Sequence, residues 1–176
     1  GLQRTLDNLK TPPALVITDS QVFKQVAKDT PAEIPLPSFS ILMARHKGNL
    51  SAAVNGIVAL KHLQDNDLVL ISEGCTHHRQ CGDIGTVKLP AWLQEKTGKT
   101  LQFTWTSGTE FPLDLTPYQL IVHCGGCMLN EREMQYRYRC AEEQQIPMTN
   151  YGLCIAYTQG ILKRALGVFP ELAEKL

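Results

Sequence analysis

Two short segments hold six of the eleven Cys and His side chains in this chain, the residue types that bind zinc and iron–sulfur clusters. They are residues 75–78, with the sequence CTHH, and residues 123–127, with the sequence HCGGC. Three Cys and one His can form a tetrahedral zinc site. Three Cys can equally hold a cubane iron–sulfur cluster in which one iron takes a non-thiolate ligand. The residue types therefore indicate a metal site built on Cys75, Cys124 and Cys127, and they leave the metal open.

A redox dithiol is the simpler interpretation of the second segment, because a lone Cys-x-x-Cys after a strand is typical of thioredoxin-like proteins. That interpretation gives no role to Cys75, His77 or His123. Asp83 lies in the loop after the first segment and is a candidate for the open coordination position. Of the remaining thiols, Cys81 is a possible extra ligand but is better interpreted as a loop thiol. Cys140 and Cys154 are expected to be buried for packing.

Both segments follow predicted strands, over residues 68–71 and 120–122, whose continuous apolar runs are typical of strands buried on both faces. In open α/β sheets, ligands bind at the carboxyl ends of the strands. If the two strands are neighbours, the two segments meet in space although 45 residues separate His77 from His123. A helix predicted to begin at Asn130, with Glu133 at the capping-box spacing, would direct its positive end toward the thiols and lower their pKa.

The alternation of strands and helices predicts an α/β fold, a three-layer Rossmann-like parallel sheet with helices on both faces, preceded by a partial α/β unit. An edge strand is expected over residues 101–106 and a last strand over 146–149. Helices are expected over 83–95, interrupted by Pro90, and over 152–166, ended by Gly167. Before them come a strand over 14–18 and a Pro-rich linker over 30–38, so the domains are predicted as residues 1–37 and 38–176.

The composition excludes several classes of protein. Seventeen Lys and Arg balance 17 Asp and Glu, which predicts no nucleic-acid partner. No apolar run is long enough to span a membrane, and no secretory signal is visible, so a cytoplasmic location is expected. Six cysteines in 176 residues are too few for a disulfide scaffold, which favours a metal-binding or catalytic role for the thiols.

The pattern of Cys75, His77, His123, Cys124 and Cys127 resembles the cluster-binding signature of the [FeFe]-hydrogenase maturation GTPase family HydF. Other segments are also similar to that family: LVITDSQ at residues 15–21, SFSILMARHKG at 38–48, DIGTVKLPAWL at 83–93 and TNYG at 149–152. The resemblance extends over nearly the whole chain. It identifies residues 1–37 as the end of a dimerisation domain and residues 38–176 as an iron–sulfur domain.

The resemblance implies a [4Fe–4S] cluster held by Cys75, Cys124 and Cys127, with His77, His123 or Asp83 as the fourth ligand or as a residue that supports the ligands. It implies a scaffold that transiently carries the diiron precursor of the hydrogenase active site. The implied partners are radical-SAM maturases, apo-[FeFe]-hydrogenase and a second copy of the chain. The 176 residues contain no G-x-x-x-x-G-K-[ST] loop, so this chain is expected neither to bind nor to hydrolyse GTP and is not expected to be an enzyme. The alternatives are a structural zinc module with three Cys and one His, and the dithiol oxidoreductase.

Overall fold

The computed structural model of the chain describes residues 1–19, 22–74 and 83–176. Its centre is a sheet of four parallel strands in the order β2-β1-β3-β4. The strands are β1 (Leu68–Ser72), β2 (Gln102–Thr106), β3 (Leu120–His123) and β4 (Met148–Asn150). β1 and β3 are neighbours, with Ser72 opposite His123, as the sequence analysis required for the two segments to meet.

Helices cover both faces of this sheet. They are α1 (Leu2–Asp7), α2 (Phe23–Asp29), α3 (Phe39–His46), α4 (Leu50–Leu60), α5 (Leu89–Thr97), α6 (Glu131–Glu143), α7 (Tyr151–Thr158), α8 (Leu162–Ala165) and α9 (Pro170–Ala173). Val69 and Ile71 of β1 pack into the larger core, which includes side chains of α3, α4, α5 and α7. Leu70, between them, points to the opposite face and packs with Met134 and Tyr138 of α6. The predicted α/β class, with a parallel sheet flanked by helices, is confirmed.

The segment around Pro90 confirms the predicted interruption and gives its geometry. Residues Ile84–Lys88 form a π-helical turn, and α5 begins at Leu89 with Pro90 in its first turn. Pro90 has no N–H to donate, and the Gly85 carbonyl five residues before it accepts instead from Trp105 Nε1 at 3.0 Å. Asp83 caps the turn: its Oδ2 accepts hydrogen bonds from Gly85 N, Thr86 N and Thr86 Oγ1, at 3.0, 3.0 and 3.2 Å.

Two predicted elements were wrong. The helix expected over residues 152–166 is divided into α7 and α8, because Gly160 adopts φ +74°, a left-handed conformation that ends a helix. The strand expected over residues 14–18 is reduced to an isolated bridge between Thr18 and Ser38. Its partner is the Pro-rich segment, whose Pro35 and Pro37 carbonyls accept from Val16 N at 2.9 Å and Thr18 N at 3.3 Å. Proline can accept in such a pairing but cannot donate, so no regular strand forms.

No helix within the described part of the chain is long and apolar enough to cross a membrane.

Candidate functional site

The carboxyl ends of β1 and β3 bring the second cysteine segment against the residues that follow β1. Cys124 continues directly from β3, and its backbone N–H donates to the Ser72 carbonyl at 2.9 Å. Gly74 lies two residues beyond Ser72, and its N–H donates to the sulfur of Cys124 at 3.0 Å. The Gly126 N–H donates to the same sulfur at 3.4 Å. Two backbone amides therefore converge on one half-buried thiol, an arrangement that stabilises a thiolate.

The turn from Cys124 to Cys127 needs glycine at only one of its two central positions. Gly126 adopts φ +64°, and a Cβ there would lie 2.5 Å from the Met134 sulfur. Gly125 has no such φ, and a Cβ there would meet nothing within 4 Å. The exposed thiol of Cys127 follows this turn, so the conformation of Gly126 fixes where the second sulfur lies.

A matched pair of substitutions tests this geometry. We expect Gly126→Ala to lower the free energy of unfolding by about 2 kcal/mol, since alanine resists positive φ and would displace Met134. We expect Gly125→Ala to change it by less than about 0.5 kcal/mol, because the site is open. Urea unfolding followed by circular dichroism measures both values. Equal losses in the two variants would contradict the assigned turn geometry.

His123 is fully buried at the end of β3, and both of its ring nitrogens have partners. Nδ1 lies 2.7 Å from the Cys124 carbonyl oxygen, and Nε2 lies 3.0 Å from Arg137 Nη1. A carbonyl oxygen can only accept, so Nδ1 carries a hydrogen. A guanidinium can only donate, so Nε2 carries none, and the ring is neutral. Burial lowers the pKa of His123 to about 4, which agrees with a neutral ring. In this arrangement His123 supports the backbone of Cys124.

Arg137 holds His123 from α6 and is itself fully buried. Its Nη2 donates to the Gly108 carbonyl at 3.0 Å, and its Nε donates to Glu133 Oε1 at 2.9 Å. Its guanidinium also lies 5.0 Å from the centre of the Phe111 ring. Asn130 caps α6 as predicted, accepting from Glu133 N at 2.8 Å, while the Glu133 carboxylate is paired with Arg137. The buried guanidinium is thus paired with the Glu133 carboxylate and hydrogen-bonded to His123, the residue that precedes the cysteine turn.

Glu73 is a site residue that the sequence analysis missed. It follows β1 directly, and its Oε1 accepts from the Tyr151 hydroxyl at 3.0 Å. The pKa of Tyr151 is raised by burial and by the neighbouring Glu73 carboxylate, so the phenol remains a donor. An acidic residue immediately after an apolar strand was the signal that could have identified Glu73. It adds a carboxylate to the same strand end as the two thiols.

The structure places the other predicted residues as follows. Cys75, His77 and Cys81 lie outside the described residues. Cys154 is fully buried, and burial raises the pKa of its thiol, as expected of a packing residue. Cys140 is half-buried within α6. Within residues 1–19, 22–74 and 83–176, no group of three or more His, Cys, Asp or Glu side chains is arranged to hold a metal ion.

A cleft of about 280 Å³ opens beside the cysteine turn, with Cys124, Gly125 and Cys127 on its wall. α3, α6 and α7 supply most of the rest of its lining, which is largely apolar. Lys47 is the one Lys or Arg among the described residues that line it, and Asp19 is the one acidic residue. Among the described residues, the lining thus combines apolar side chains with one ammonium group and one carboxylate beside the two thiols.

The sheet and this site define a class of protein: a parallel α/β domain that presents a thiol-bearing turn at the position where such sheets bind ligands. Comparison with protein families is more specific. The Hydrogen maturase F tetramerization domain matches residues 51–168, and the Hydrogen maturase F dimerization domain matches residues 1–48. Because the first match covers more than half of the chain, the chain belongs to the hydrogen maturase F family.

This membership confirms the resemblance found in the sequence and implies a role in hydrogenase maturation. Matches to a dimerization and a tetramerization domain also support an oligomeric protein. No curated protein matched the sequence.

Proposed function

We propose that this chain is an iron–sulfur scaffold of hydrogenase maturation, with Cys75, Cys124 and Cys127 holding a [4Fe–4S] cluster. The observation that carries the proposal is the environment of the Cys124 sulfur, which accepts hydrogen bonds from Gly74 N and Gly126 N. Amide hydrogen bonds to sulfur stabilise ligating thiolates and are among the features that tune iron–sulfur clusters. When bound, such a cluster would supply one iron whose non-thiolate ligand can be exchanged.

The chain's own residues would hold and orient that group. Cys127 adds a second thiol at the other end of the turn, and the turn conformation depends on Gly126. His123 Nδ1 donates to the Cys124 carbonyl, and Arg137 donates to Nε2 of the same ring. These two hydrogen bonds fix the backbone of Cys124, the residue that bears the thiol. Because both ring nitrogens are already used, we assign His123 to this supporting role.

The fourth position is left to an oxygen or imidazole donor near the end of β1. His77 and Asp83 are the remaining candidates from the sequence, and Glu73 joins them because of its place directly after β1. A fourth ligand that can leave suits a carrier, since the same position can accept the diiron precursor and later release it. The precursor would come from radical-SAM maturases and pass to apo-[FeFe]-hydrogenase.

The cysteine variants test which thiols bind iron. After anaerobic reconstitution with ferrous iron and sulfide, we expect Cys75→Ala, Cys124→Ala and Cys127→Ala each to retain less than about half of the iron of the wild type, because each loses a thiolate ligand. Cys140→Ala is the matched control and should retain all of it, since Cys140 lies within α6. Colorimetric iron analysis measures the retained metal.

The pattern of losses separates the alternatives. A chain that binds one zinc and no iron would be a structural zinc module. A chain without metal in which Cys75→Ala leaves disulfide exchange between Cys124 and Cys127 intact would be a dithiol oxidoreductase. Either result would contradict the proposed cluster.

A further inference from the structure

We infer that Lys47 is a positioning residue of the metal site: its ammonium group fixes the Cys124–Cys127 turn and places a positive charge beside a bound cluster. The inference rests on the proposed cluster, and it extends the site to a residue that lies 79 positions from Gly126 in the chain. Lys47 immediately follows α3, far from both cysteine segments in sequence.

The first support is a direct contact with the turn. Lys47 Nζ donates a hydrogen bond to the Gly126 carbonyl oxygen at 2.8 Å, in a partly buried setting. That carbonyl belongs to the peptide group that joins Gly126 to Cys127, so the bond fixes the orientation of the peptide preceding the second thiol. Because glycine lacks a Cβ, Gly126 can adopt φ +64° but can also adopt many other backbone conformations. The hydrogen bond from Lys47 favours the observed one.

The second support is electrostatic. A [4Fe–4S]²⁺ core with three thiolates carries about one negative charge, and reduction adds another. Lys47 is the one Lys or Arg in the described lining of the cleft, where Cys124 and Cys127 lie. The attraction between the ammonium group and the cluster grows with the negative charge that the cluster carries. Lys47 should therefore favour the reduced state and raise the cluster's reduction potential.

The third support is the position of Lys47 in the chain. It lies within the match to the dimerization domain, residues 1–48, whereas the cysteine turn lies within the match to the tetramerization domain. The end of α3 is held in place by a second bond, from Gln135 Nε2 to the Gly48 carbonyl at 2.9 Å. The hydrogen bond of Lys47 consequently joins the segment that matches the dimerization domain to the cysteine turn.

The test compares Lys47→Met with Lys61→Met. Lys61 is a suitable control because its ammonium group lies outside the cleft, where it donates to a main-chain oxygen of Leu176, the last residue of the sequence. After reconstitution, we expect Lys47→Met to lose iron to a ferrous chelator roughly tenfold faster than the wild type, in the range found for residues that support metal ligands. We also expect a lower midpoint potential by redox titration followed by electron paramagnetic resonance. Lys61→Met should match the wild type in both measurements.

Two further results make the test decisive. Lys47→Arg keeps the charge, so it should recover most of the midpoint potential. Thermal unfolding of the metal-free variants checks that each is folded. If the wild type holds a cluster and Lys47→Met behaves as Lys61→Met does, the inference is overturned while the proposed cluster stands. If the wild type takes up no iron, the proposed cluster fails, and the inference fails with it.

Discussion

Arg137→Met is expected to lower the free energy of unfolding by about 3 kcal/mol, because it leaves buried acceptors without their donor. In the wild type, the guanidinium donates to His123 Nε2 and to the Gly108 carbonyl at 3.0 Å each. Methionine fills similar space and carries no donor. The Glu133 carboxylate that loses its partner is about a third exposed and can be hydrated, so it adds little to the loss.

Arg139→Met is the control for this prediction, because Arg139 lies on the same helix and is exposed. It should change stability by less than about 0.5 kcal/mol. Urea unfolding gives the two free energies, and nitrogen NMR of the His123 ring gives an independent readout. The wild type and Arg137→Met should both keep the hydrogen on Nδ1, where the Cys124 carbonyl accepts it, but the Nε2 resonance should shift in Arg137→Met because that nitrogen loses its donor. An Arg137→Met chain as stable as Arg139→Met, with His123 unchanged, would contradict the assigned network.

Gly152→Ala is expected to destabilise the chain by about 3 kcal/mol, at the upper end of the usual range for overpacked cores. Gly152 lies in the first turn of α7, where a Cβ would overlap the Cβ and Oγ of Ser40 on α3. The backbone of α7 at Gly152 therefore packs directly against the side chain of Ser40 on α3. This contact gives a physical reason for the glycine of the TNYG segment, in which Asn150 caps α7 by accepting from Leu153 N at 2.9 Å.

The double variant Ser40→Gly, Gly152→Ala shows whether the overlap is the cause. Removing the Ser40 side chain vacates the space that the new methyl group needs, so we expect the double variant to recover about 1–2 kcal/mol relative to Gly152→Ala. Ser40→Gly alone supplies the reference for the cost of glycine within a helix. Strictly additive losses, measured by urea unfolding, would show that Gly152 matters for another reason.

The sequence predicted those parts of the fold that depend on local pattern. The apolar run before Ser72 and the one before His123 are buried strands, and they are neighbours as parallel packing required. The alternation of Phe103 and Trp105 with polar residues indicated an edge strand, and β2 is one of the two edge strands of the sheet. Asn130 could be identified as a cap because side-chain capping involves residues only three apart.

The features that sequence could not predict depend on contacts between distant segments. From the sequence alone, Lys47 is indistinguishable from any lysine at the end of a helix. Its hydrogen bond to Gly126 forms because α3 packs beside the cysteine turn. Arg137 reads as an exposed helical arginine, yet it is buried because His123 and Gly108 offer it acceptors from two other segments. The strand expected at residues 14–18 failed for a related reason, since the segment that pairs with it among the described residues contains prolines, which cannot donate.

In the proposed function, this member of the hydrogen maturase F family holds an iron–sulfur cluster at the carboxyl ends of β1 and β3. The most direct test is the iron, acid-labile sulfide and zinc content of the wild-type chain, purified and reconstituted without oxygen. We expect about four irons and four sulfides per chain, as a [4Fe–4S] cluster requires. A colourless chain that instead retains about one tightly bound zinc, the content of a structural zinc site, would contradict it.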